Sequence, residues 1–244
     1  MKRDRLFRDS APKDSGFKFD AKVAAVFNDM ITRSVPFYVE QQRMVAEIVR
    51  QHWQPGTNIY DLGCATGTTL INLSREVSGS GRLIGYDNSA PMLEQARYAI
   101  AAHGLAERIS LRIGDLDGDP AALSLENAGV VLLCWTLQFV RPVNRYALVR
   151  MIHDVLVDGG VLLVTEKVLA NNADLDRDFI AFYYASKVRT GYSETEIHKK
   201  REALENVLVP YRVDENKKLF CDNGFRVVET FFQWYNFAGF ICQK

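Results

Sequence analysis

The sequence predicts an α/β protein with a mainly parallel sheet, an antiparallel hairpin near the C-terminal end and added helices. Short apolar segments alternate with helical segments between residues 58 and 166, and strands joined by helices form parallel sheets through right-handed crossovers. A glycine-rich turn joins the first strand to its helix, and acidic residues end the second and third strands. The last two apolar segments are separated by a short connection, which is typical of an antiparallel pair.

Composition and charge narrow the classes of function. The chain has 244 residues, which suits a single domain over 1–244, and its 30 basic and 30 acidic residues give no net charge. This balance provides no overall attraction to nucleic acid, so we expect no direct nucleic-acid partner. No apolar run approaches the roughly 20 residues that span a bilayer, and the polar start lacks the apolar core of a secretory signal. We therefore expect no membrane partner and a cytoplasmic protein.

The cysteines and histidines indicate neither a disulfide framework nor a metal site. The four cysteines are widely separated and form no Cys-x-x-Cys pair, and the histidines show no metal-ligand spacing. We expect a reduced protein that uses no metal.

The N-terminal 54 residues are predicted to form an arm and helices over the site. Residues 1–20 are polar and read as a partly extended arm. From Asp20 onward, apolar residues recur at spacings of three and four, which indicates a helix. Pro36 interrupts this pattern because the residue before a proline disfavours helix, and a second helix then runs to Gln54-Pro55-Gly56.

The remaining elements follow from periodicity and from turn residues. A helix stop is predicted at Asp158-Gly159-Gly160. A long, charged helical insertion is predicted over 171–206. The predicted strands cover 58–62, 82–86, 109–113, 129–135, 161–166, 226–232 and 237–242, and the helices between them cover 68–77, 90–103 and 145–156.

The turn Gly63-Cys64-Ala65-Thr66-Gly67 is the most informative stretch of the chain. Gly63 permits a tight turn with close approach of a ligand, and Gly67 permits close packing of the following helix. The amide groups at the start of that helix point toward the crevice. Cys64 and Ala65 stand where a dinucleotide-binding turn has its second glycine, which disfavours a pyrophosphate against the backbone.

Polar residues at the ends of the next two strands complete a candidate nucleoside site. Asp87 lies 24 positions after Gly63, where an acid accepts hydrogen bonds from ribose hydroxyls, and Asn88 adds an amide beside it. Asp115 can accept from an adenine amino group, while the Leu116 backbone reaches the ring edge. Each feature alone also fits packing, helix capping or a loop acid. The ordered set at the carboxyl ends of successive strands favours a nucleoside-type ligand.

With these motifs, residues 55–166 resemble the class I S-adenosylmethionine (SAM)-dependent methyltransferases. A narrower resemblance runs from about residue 17 to the C-terminus, and it is to the carboxy-S-adenosyl-L-methionine (carboxy-SAM) synthase family. The segments that carry it are Asp29-Met30-Ile31, Arg33-Ser34-Val35-Pro36, Tyr38, Thr136-Leu137-Gln138-Phe139, Thr165-Glu166-Lys167, Gly191-Tyr192-Ser193-Glu194, Glu196-Ile197, Lys200-Arg201, Leu204-Glu205-Asn206-Val207, Gln233 and Asn236-Phe237.

The narrower resemblance implies an activity and a set of site residues. It implies conversion of SAM and prephenate to carboxy-SAM and phenylpyruvate, and the product is later used to modify a wobble uridine in tRNA. It implies a homodimer in which the neighbouring subunit can supply the arginine, and it makes Arg201 the group that holds the added carboxylate. Where the family has asparagine, this chain has Cys134, whose thiol cannot replace an amide as donor and acceptor. The residues implied to contact the SAM portion are Tyr38, Gly63, Cys64, Ala65, Asp87, Asn88, Asp115 and Leu116, with Cys134 at the position of the family asparagine.

The amino-acid sequence is also compatible with two other functions. One is a SAM-dependent methyltransferase that acts on a small molecule, and the other is a SAM-binding or dimeric scaffold without activity. A synthase needs a site for a dianion, whereas a methyltransferase needs a pocket for a nucleophile. By charge alone, the candidates for the dianion site are Arg33, Lys199, Lys200 and Arg201.

Overall fold

The computed structural model of the chain describes residues 2–8 and 16–244. The predicted arm over 1–20 therefore lies partly outside the described residues, at positions 1 and 9–15. The described parts of the arm contain neither helix nor strand, as the sequence predicted.

Eight strands of the described chain form one mixed sheet in the order β3-β2-β1-β4-β5-β8-β7, with β6 paired to β5. The strands β1 to β5 run parallel, whereas β8 is antiparallel to both β5 and β7. This confirms the predicted α/β class and the antiparallel C-terminal hairpin. The strands are β1 (Asn58–Leu62), β2 (Leu83–Asp87), β3 (Ile109–Ile113), β4 (Ala128–Cys134), β5 (Leu156–Leu169), β6 (Tyr211–Arg212), β7 (Val227–Trp234) and β8 (Phe237–Gln243).

Nine α-helices of the described chain surround the sheet, and none of them is both long and apolar enough to cross a membrane. Two short 3₁₀ helices, Pro120–Leu123 and Leu137–Phe139, lie in the connections after β3 and β4. The α-helices are α1 (Ala21–Ala24), α2 (Phe27–Ser34), α3 (Tyr38–His52), α4 (Thr68–Glu76), α5 (Ala90–Ala102), α6 (Pro142–Val155), α7 (Ala173–Arg189), α8 (Glu194–Leu204) and α9 (Val213–Asp222).

The central strands are buried on both faces, as expected for parallel strands covered by helices. On β4, Val130 and Leu132 pack into the core formed with α3, α4 and α5, and the alternate residues Val131 and Leu133 pack toward α6 and α9. The chain leaves β1 toward β2 and later returns to its other side as β4. The switch between β1 and β4 opens a crevice at the carboxyl ends of these strands, where α/β proteins bind ligands.

The predicted helix over 145–156 is confirmed, but it starts three residues earlier than predicted and its glycine stop was wrong. The helix α6 begins earlier, at Pro142, because proline is tolerated in the first helical turn. The segment at Gly159 and Gly160 is not a loop but part of the long strand β5. The pairing of β5 with β4 shifts register opposite this segment, so the two glycines lie where the regular pairing of the sheet is interrupted.

The helix α9 was missed, because no element was assigned between residue 206 and the final hairpin. It is ten residues long, and its first turn holds Asp214 and Glu215. The Glu215 side chain accepts a hydrogen bond from the Arg212 N–H at 2.7 Å, which is a helix-start signal that the sequence carried. Phe220, which is fully buried, attaches the helix to the sheet.

Hydrogen bonds anchor the described part of the N-terminal arm to α2 and to the helical insertion. Asp4 is only 2% exposed, and its carboxylate accepts a hydrogen bond from the Tyr192 hydroxyl at 2.6 Å. Its N–H donates to the Asp29 carboxylate at 2.7 Å, and its carbonyl accepts from the Arg33 guanidinium at 2.8 Å. Farther along, the Phe17 N–H donates to the Ala203 carbonyl at 2.8 Å. The arm thus joins α2 to both ends of α8.

Replacing Tyr192 by phenylalanine is expected to lower the free energy of unfolding by about 1–3 kcal/mol, because it leaves the buried Asp4 carboxylate short of a donor. Urea unfolding measures this difference. The matched control is Tyr98→Phe on α5, where the side chain is 65% exposed and no change is expected. Equal stability of the wild type and Tyr192→Phe would contradict an anchoring role for this hydrogen bond.

Candidate active site

A cavity of about 630 Å³ lies at the carboxyl ends of β1 to β5. The helices α2, α3, α7 and α8 enclose it, together with Phe17 and Phe19 of the N-terminal arm. All of the residues that the sequence singled out for the site come together here. These are Tyr38, Gly63, Cys64, Ala65, Asp87, Asn88, Asp115, Leu116, Cys134 and Arg201.

The glycine turn has the backbone conformation that the sequence predicted. Gly63 and Gly67 have φ values of 84° and 77°, a region that favours glycine. A Cβ atom on Gly63 would overlap the Thr136 side chain, and one on Gly67 would lie 3.3 Å from the Ala96 Cβ on α5. The close packing predicted for Gly67 is therefore confirmed. Within the protein, the close neighbour of Gly63 is Thr136.

Asp87 ties the glycine turn to the start of α5. Its two carboxylate oxygens accept hydrogen bonds from the Ala65 N–H at 2.9 Å and the Ser89 N–H at 2.8 Å. The N-cap of α5 is Ser89, whose side chain accepts from the Met92 N–H, so Asp87 is not the capping residue. Each oxygen keeps lone-pair capacity toward the cavity. Burial raises the pKa of Asp87 despite these hydrogen bonds.

Asp61, on β1, is a further acid that lines the cavity, and it was not among the residues chosen from the sequence. It is 1% exposed, and neither carboxylate oxygen has a hydrogen-bond partner in the described chain. Burial and the neighbouring charge of Asp87 raise the pKa of Asp61 to about 7. A buried carboxylate without a partner is costly, which suits it to receive a cation or a donor from a ligand. Its signal in the sequence is its position two residues before Gly63.

Asn88, Asp115 and Leu116 form the outer part of the same wall. The side chains of Asn88 and Asp115 are exposed, and Leu116 is buried. The Asp115 carboxylate accepts a hydrogen bond from the Asp117 N–H at 3.0 Å, which holds the loop after β3. With Asp61 and Asp87, Asp115 makes this side of the cavity acidic.

Tyr38 and Cys134 also line the cavity. The Tyr38 ring packs against the Trp135 ring with centroids 5.2 Å apart, so Trp135 supports Tyr38. Burial, with the charge of Asp61, raises the pKa of the Cys134 thiol well above its ordinary range. The thiol therefore stays protonated, which fits packing better than nucleophilic chemistry.

The basic side chains that line the cavity lie on other elements, β5, α7 and α8, and form its basic wall. Arg201 lines the cavity from its own chain with an exposed side chain, and it makes no ion pair within the described residues. Lys200, another candidate by charge, also lines the cavity. Arg33 does not: its guanidinium is bound to Asp29 at 2.6 Å, and Lys199 also lies outside the lining. Lys167 and Lys187 complete the basic wall, and sequence reasoning did not single them out for charge.

The same region shows no arrangement suited to a metal ion. In the part of the chain that the structure describes, no three His, Cys, Asp or Glu side chains come together as ligands.

Comparison with known proteins defines the class to which this fold and cavity belong. A family model described as a methyltransferase domain matches residues 59–160, the segment from β1 into β5. An O-methyltransferase family protein from Burkholderia thailandensis has a similar structure, with a TM-score of 0.66 at 19% identity over 93% of this chain and 60% of that one. The chain therefore has the class I methyltransferase fold.

Full-length relatives define the family within this class. The carboxy-SAM synthase of Methylococcus capsulatus is 48% identical over 245 aligned positions, covering 100% of both chains. The carboxy-SAM synthase of Desulfotalea psychrophila is 42% identical over 100% of this chain and 98% of the relative. The chain belongs to the carboxy-S-adenosyl-L-methionine synthase family, and it is an enzyme of the transferase class.

Proposed function

We propose that the protein converts SAM and prephenate to carboxy-SAM and phenylpyruvate, as the carboxy-SAM synthase family does. The observation that carries the proposal is that one cavity is lined by an acidic wall, with Asp61, Asp87 and Asp115 on or just after β1 to β3, and by a basic wall from β5, α7 and α8. SAM is a sulfonium with an ammonium group, whereas prephenate carries two carboxylates. A methyl transfer to a neutral acceptor would need a basic group only for the methionine carboxylate of SAM, whereas four basic side chains line this cavity. The identity of 48% with a named synthase over the whole chain supports the same conclusion.

The acidic wall fits the SAM portion. Asp87 is positioned to accept hydrogen bonds from ribose hydroxyls, since it follows β2 at the mouth of the glycine turn. Asp115 is suited to the adenine amino group, and the Leu116 backbone to the ring edge. Asp61, which lacks a partner, is suited to the ammonium group of the methionine portion. Tyr38, Cys64, Ala65, Asn88 and Cys134 would form the remaining surface.

The chemistry asks the protein mainly to hold two ligands together. Prephenate releases carbon dioxide and hydroxide as its ring becomes aromatic. The methyl group of SAM loses a proton, which the hydroxide takes to form water, and the methyl carbon bonds to the carbon dioxide. The protein's part is to orient both ligands, exclude water and bind the anions. Arg201 would hold the new carboxylate through paired guanidinium donors.

The proposal extends to the assembly and use of the product. A homodimer is supported by an apolar surface on α7 and the β7–β8 connection, where Leu175, Phe182 and Tyr235 are each 40% or more exposed. Isolated proteins seldom expose such clustered apolar side chains. Arg201 would then act in its own cavity or in the partner's. The product would serve a separate enzyme that modifies a tRNA wobble uridine, with no direct contact between this protein and nucleic acid.

Mass spectrometry of the ligand released from freshly purified protein tests the proposed function. A species heavier than SAM by one CO2 supports a synthase, and its formation from added SAM and prephenate completes the test. If the protein yields only SAM or S-adenosylhomocysteine and forms no carboxy-SAM with prephenate, the synthase proposal fails. The methyltransferase domain match then favours methyl transfer to a small molecule.

Binding of SAM is expected to strengthen about eightfold between pH 6 and pH 7.5. The pKa of Asp61 is about 7 in the free protein, so its carboxyl is mostly protonated at pH 6. A bound cation favours the ionised carboxylate and lowers this pKa, so binding releases a proton and affinity rises with pH. The range ends at pH 7.5 because α-amino groups themselves lose protons above it. Calorimetry across this range measures the effect, and Asp61→Asn should flatten the profile. A flat wild-type profile would contradict this placement of the ammonium group.

A further inference from the structure

Three lysines from three different elements converge on the basic wall of the cavity. Lys167 lies near the end of β5, Lys187 on α7 and Lys200 on α8, and all three line the cavity. Lys187 and Lys200 are only 5% and 7% exposed. Lysine is rarely buried to this degree unless it is paired. Their convergence on one cavity therefore needs a cause.

No carboxylate of the described chain neutralises these lysines. None of the three forms an ion pair within 4.0 Å, although ten such pairs occur elsewhere in the described residues. The Lys200 ammonium donates to the Ser34 hydroxyl at 3.1 Å. The Lys187 ammonium has no hydrogen-bond partner among the described residues. Within the described residues, the buried positive charge therefore has no directly paired carboxylate.

Burial of the three ammonium groups disfavours their charged form. Burial, together with the charges of Lys200 and Lys167, lowers the pKa of Lys187 to about 7. Burial also lowers the pKa of Lys200, to about 8, and that of Lys167. Asp4 and Glu196 act on Lys187 from farther away and offset only part of this effect. An anion bound between the lysines would remove the cost.

Two tyrosine rings hold the lysines as one group. The Tyr183 ring centroid lies 5.4 Å from the Lys167 Nζ and 5.6 Å from the Lys187 Nζ. The Tyr192 ring centroid lies 5.2 Å from the Lys187 Nζ and 5.9 Å from the Lys200 Nζ. Lys187 therefore lies beside both rings and links the group.

Aromatic surface completes this part of the cavity. Tyr183, Tyr184 and Phe237 line the cavity together with the lysines. This combination suits a small ligand with an apolar ring and more than one negative group.

We propose that Lys167, Lys187 and Lys200 form an anion-binding subsite, separate from Arg201, for the two carboxylates of a ring-bearing co-substrate. This inference rests on the proposed function, which supplies prephenate as that co-substrate. Arg201 differs from the three lysines because its side chain is exposed. The two sets of residues would therefore bind different groups. Arg201 would hold the carboxylate of carboxy-SAM, and the three lysines would hold the carboxylates of prephenate before the reaction.

Calorimetry with protein loaded with S-adenosylhomocysteine, which has no methyl group to be carboxylated, tests the subsite without turnover. The probes are prephenate, with two carboxylates, and phenylpyruvate, with one. The variants are Lys187→Met and Lys200→Met, and the matched control is Lys218→Met on the exposed face of α9. Methionine keeps most of the length of the lysine side chain, one atom less, and removes the charge. Because it removes an unpaired buried cation, neither variant should lower the urea unfolding midpoint, whereas a lysine retained for structure would.

We expect each subsite variant to weaken prephenate binding about tenfold or more, in line with the loss of one charge-assisted hydrogen bond. Phenylpyruvate should lose less, and the Kd of SAM should stay within about twofold. Unchanged prephenate binding in both variants would overturn the subsite. An equal loss of SAM binding would also overturn it, since the lysines would then hold the methionine carboxylate.

Proton uptake gives a readout that a structural role would not produce. A bound dianion raises the pKa of Lys187, so titrations at pH 8 in buffers of different ionisation enthalpy should show protons taken up. The charged and titratable groups that act on this ammonium or share its tyrosine rings are Lys167, Lys200, Glu196, Asp4, Arg33, Tyr183 and Tyr192. Lys187→Met should reduce the uptake, and identical uptake in wild type and variant would contradict the subsite.

The subsite and the reaction can fail separately. If wild type forms carboxy-SAM and both lysine variants keep its kcat/KM for prephenate, the reaction stands and the subsite falls. If wild type forms no carboxy-SAM but binds these carboxylates in a lysine-dependent way, the subsite stands and the proposed reaction falls.

Discussion

Replacing Asp87 by alanine is expected to weaken SAM binding about 100-fold or more. The carboxylate is positioned to accept hydrogen bonds from two ribose hydroxyls, and each bond to a charged group contributes about 1.5–3 kcal/mol. The same side chain holds the Ala65 N–H at 2.9 Å, so its removal also loosens the turn beneath the ligand. Calorimetry with SAM measures the loss. Binding that is unchanged in Asp87→Ala would refute the ribose assignment.

The control for this change separates ligand contact from turn stability. Asp87→Asn keeps the size of the side chain and one carbonyl oxygen, so it can still accept from a backbone N–H. Because Asp87 accepts from two backbone N–H groups and asparagine can accept from only one of them, we expect its urea unfolding midpoint to lie between those of the wild type and Asp87→Ala, while its SAM affinity falls because the charge is gone. If Asp87→Asn binds SAM like the wild type, the carboxylate acts only on the turn.

Replacing Arg201 by alanine is expected to leave SAM binding within about twofold and to weaken carboxy-SAM binding about 30-fold or more. The two ligands differ by one carboxylate, and a bidentate guanidinium pair with a carboxylate is among the stronger polar contacts. Arg201 makes no ion pair in the described chain, so its loss leaves no buried protein charge without a partner. Parallel titrations of both ligands measure the difference.

Arg201→Lys is the conservative control, and it should restore only part of the carboxy-SAM affinity because an ammonium cannot make the paired contact. Equal losses of SAM and carboxy-SAM binding in Arg201→Ala would contradict the carboxylate role.

Mixing the Arg201→Ala and Asp87→Ala proteins shows which subunit supplies the arginine. If each cavity of a homodimer uses the partner's arginine, a mixed dimer contains one cavity in which both residues are intact.

Much of the fold could be predicted from the sequence because the central strands are short, buried and bounded by turn residues. The strands β1 and β3 were predicted with the bounds that the structure gives. The errors arose where tertiary contacts decide the structure. Gly159 and Gly160 resemble a helix stop, but pairing with β4 extends the strand through them. The helix α9 depends on burial of Phe220 against the sheet, which local periodicity does not reveal.

The site could be predicted only where its residues follow strands. Gly63, Asp87 and Asp115 sit at strand ends, and topology brings strand ends together whatever the intervening sequence. The lysine subsite has no such signature, since Lys187 and Lys200 stand in charged helices where a solvent-exposed face is the ordinary expectation. Only the packing of α7 and α8 over the cavity turns these side chains inward. Similarly, the sequence places Asp61 two residues before Gly63 but does not reveal that its carboxylate lacks partners within the described residues.

The separation of acidic and basic walls within one cavity makes each ligand a counter-ion for the other. The cationic sulfur of SAM would shield an incoming dianion from Asp61 and Asp87, so SAM should bind first and raise the affinity for the anion. By linkage, the anion must tighten SAM binding by the same factor. Protein loaded with SAM should therefore bind phenylpyruvate more tightly than protein loaded with S-adenosylhomocysteine, which lacks only the methyl group and its charge. As a result, prephenate would bind mainly to protein molecules that already hold SAM, the acceptor of its carboxylate.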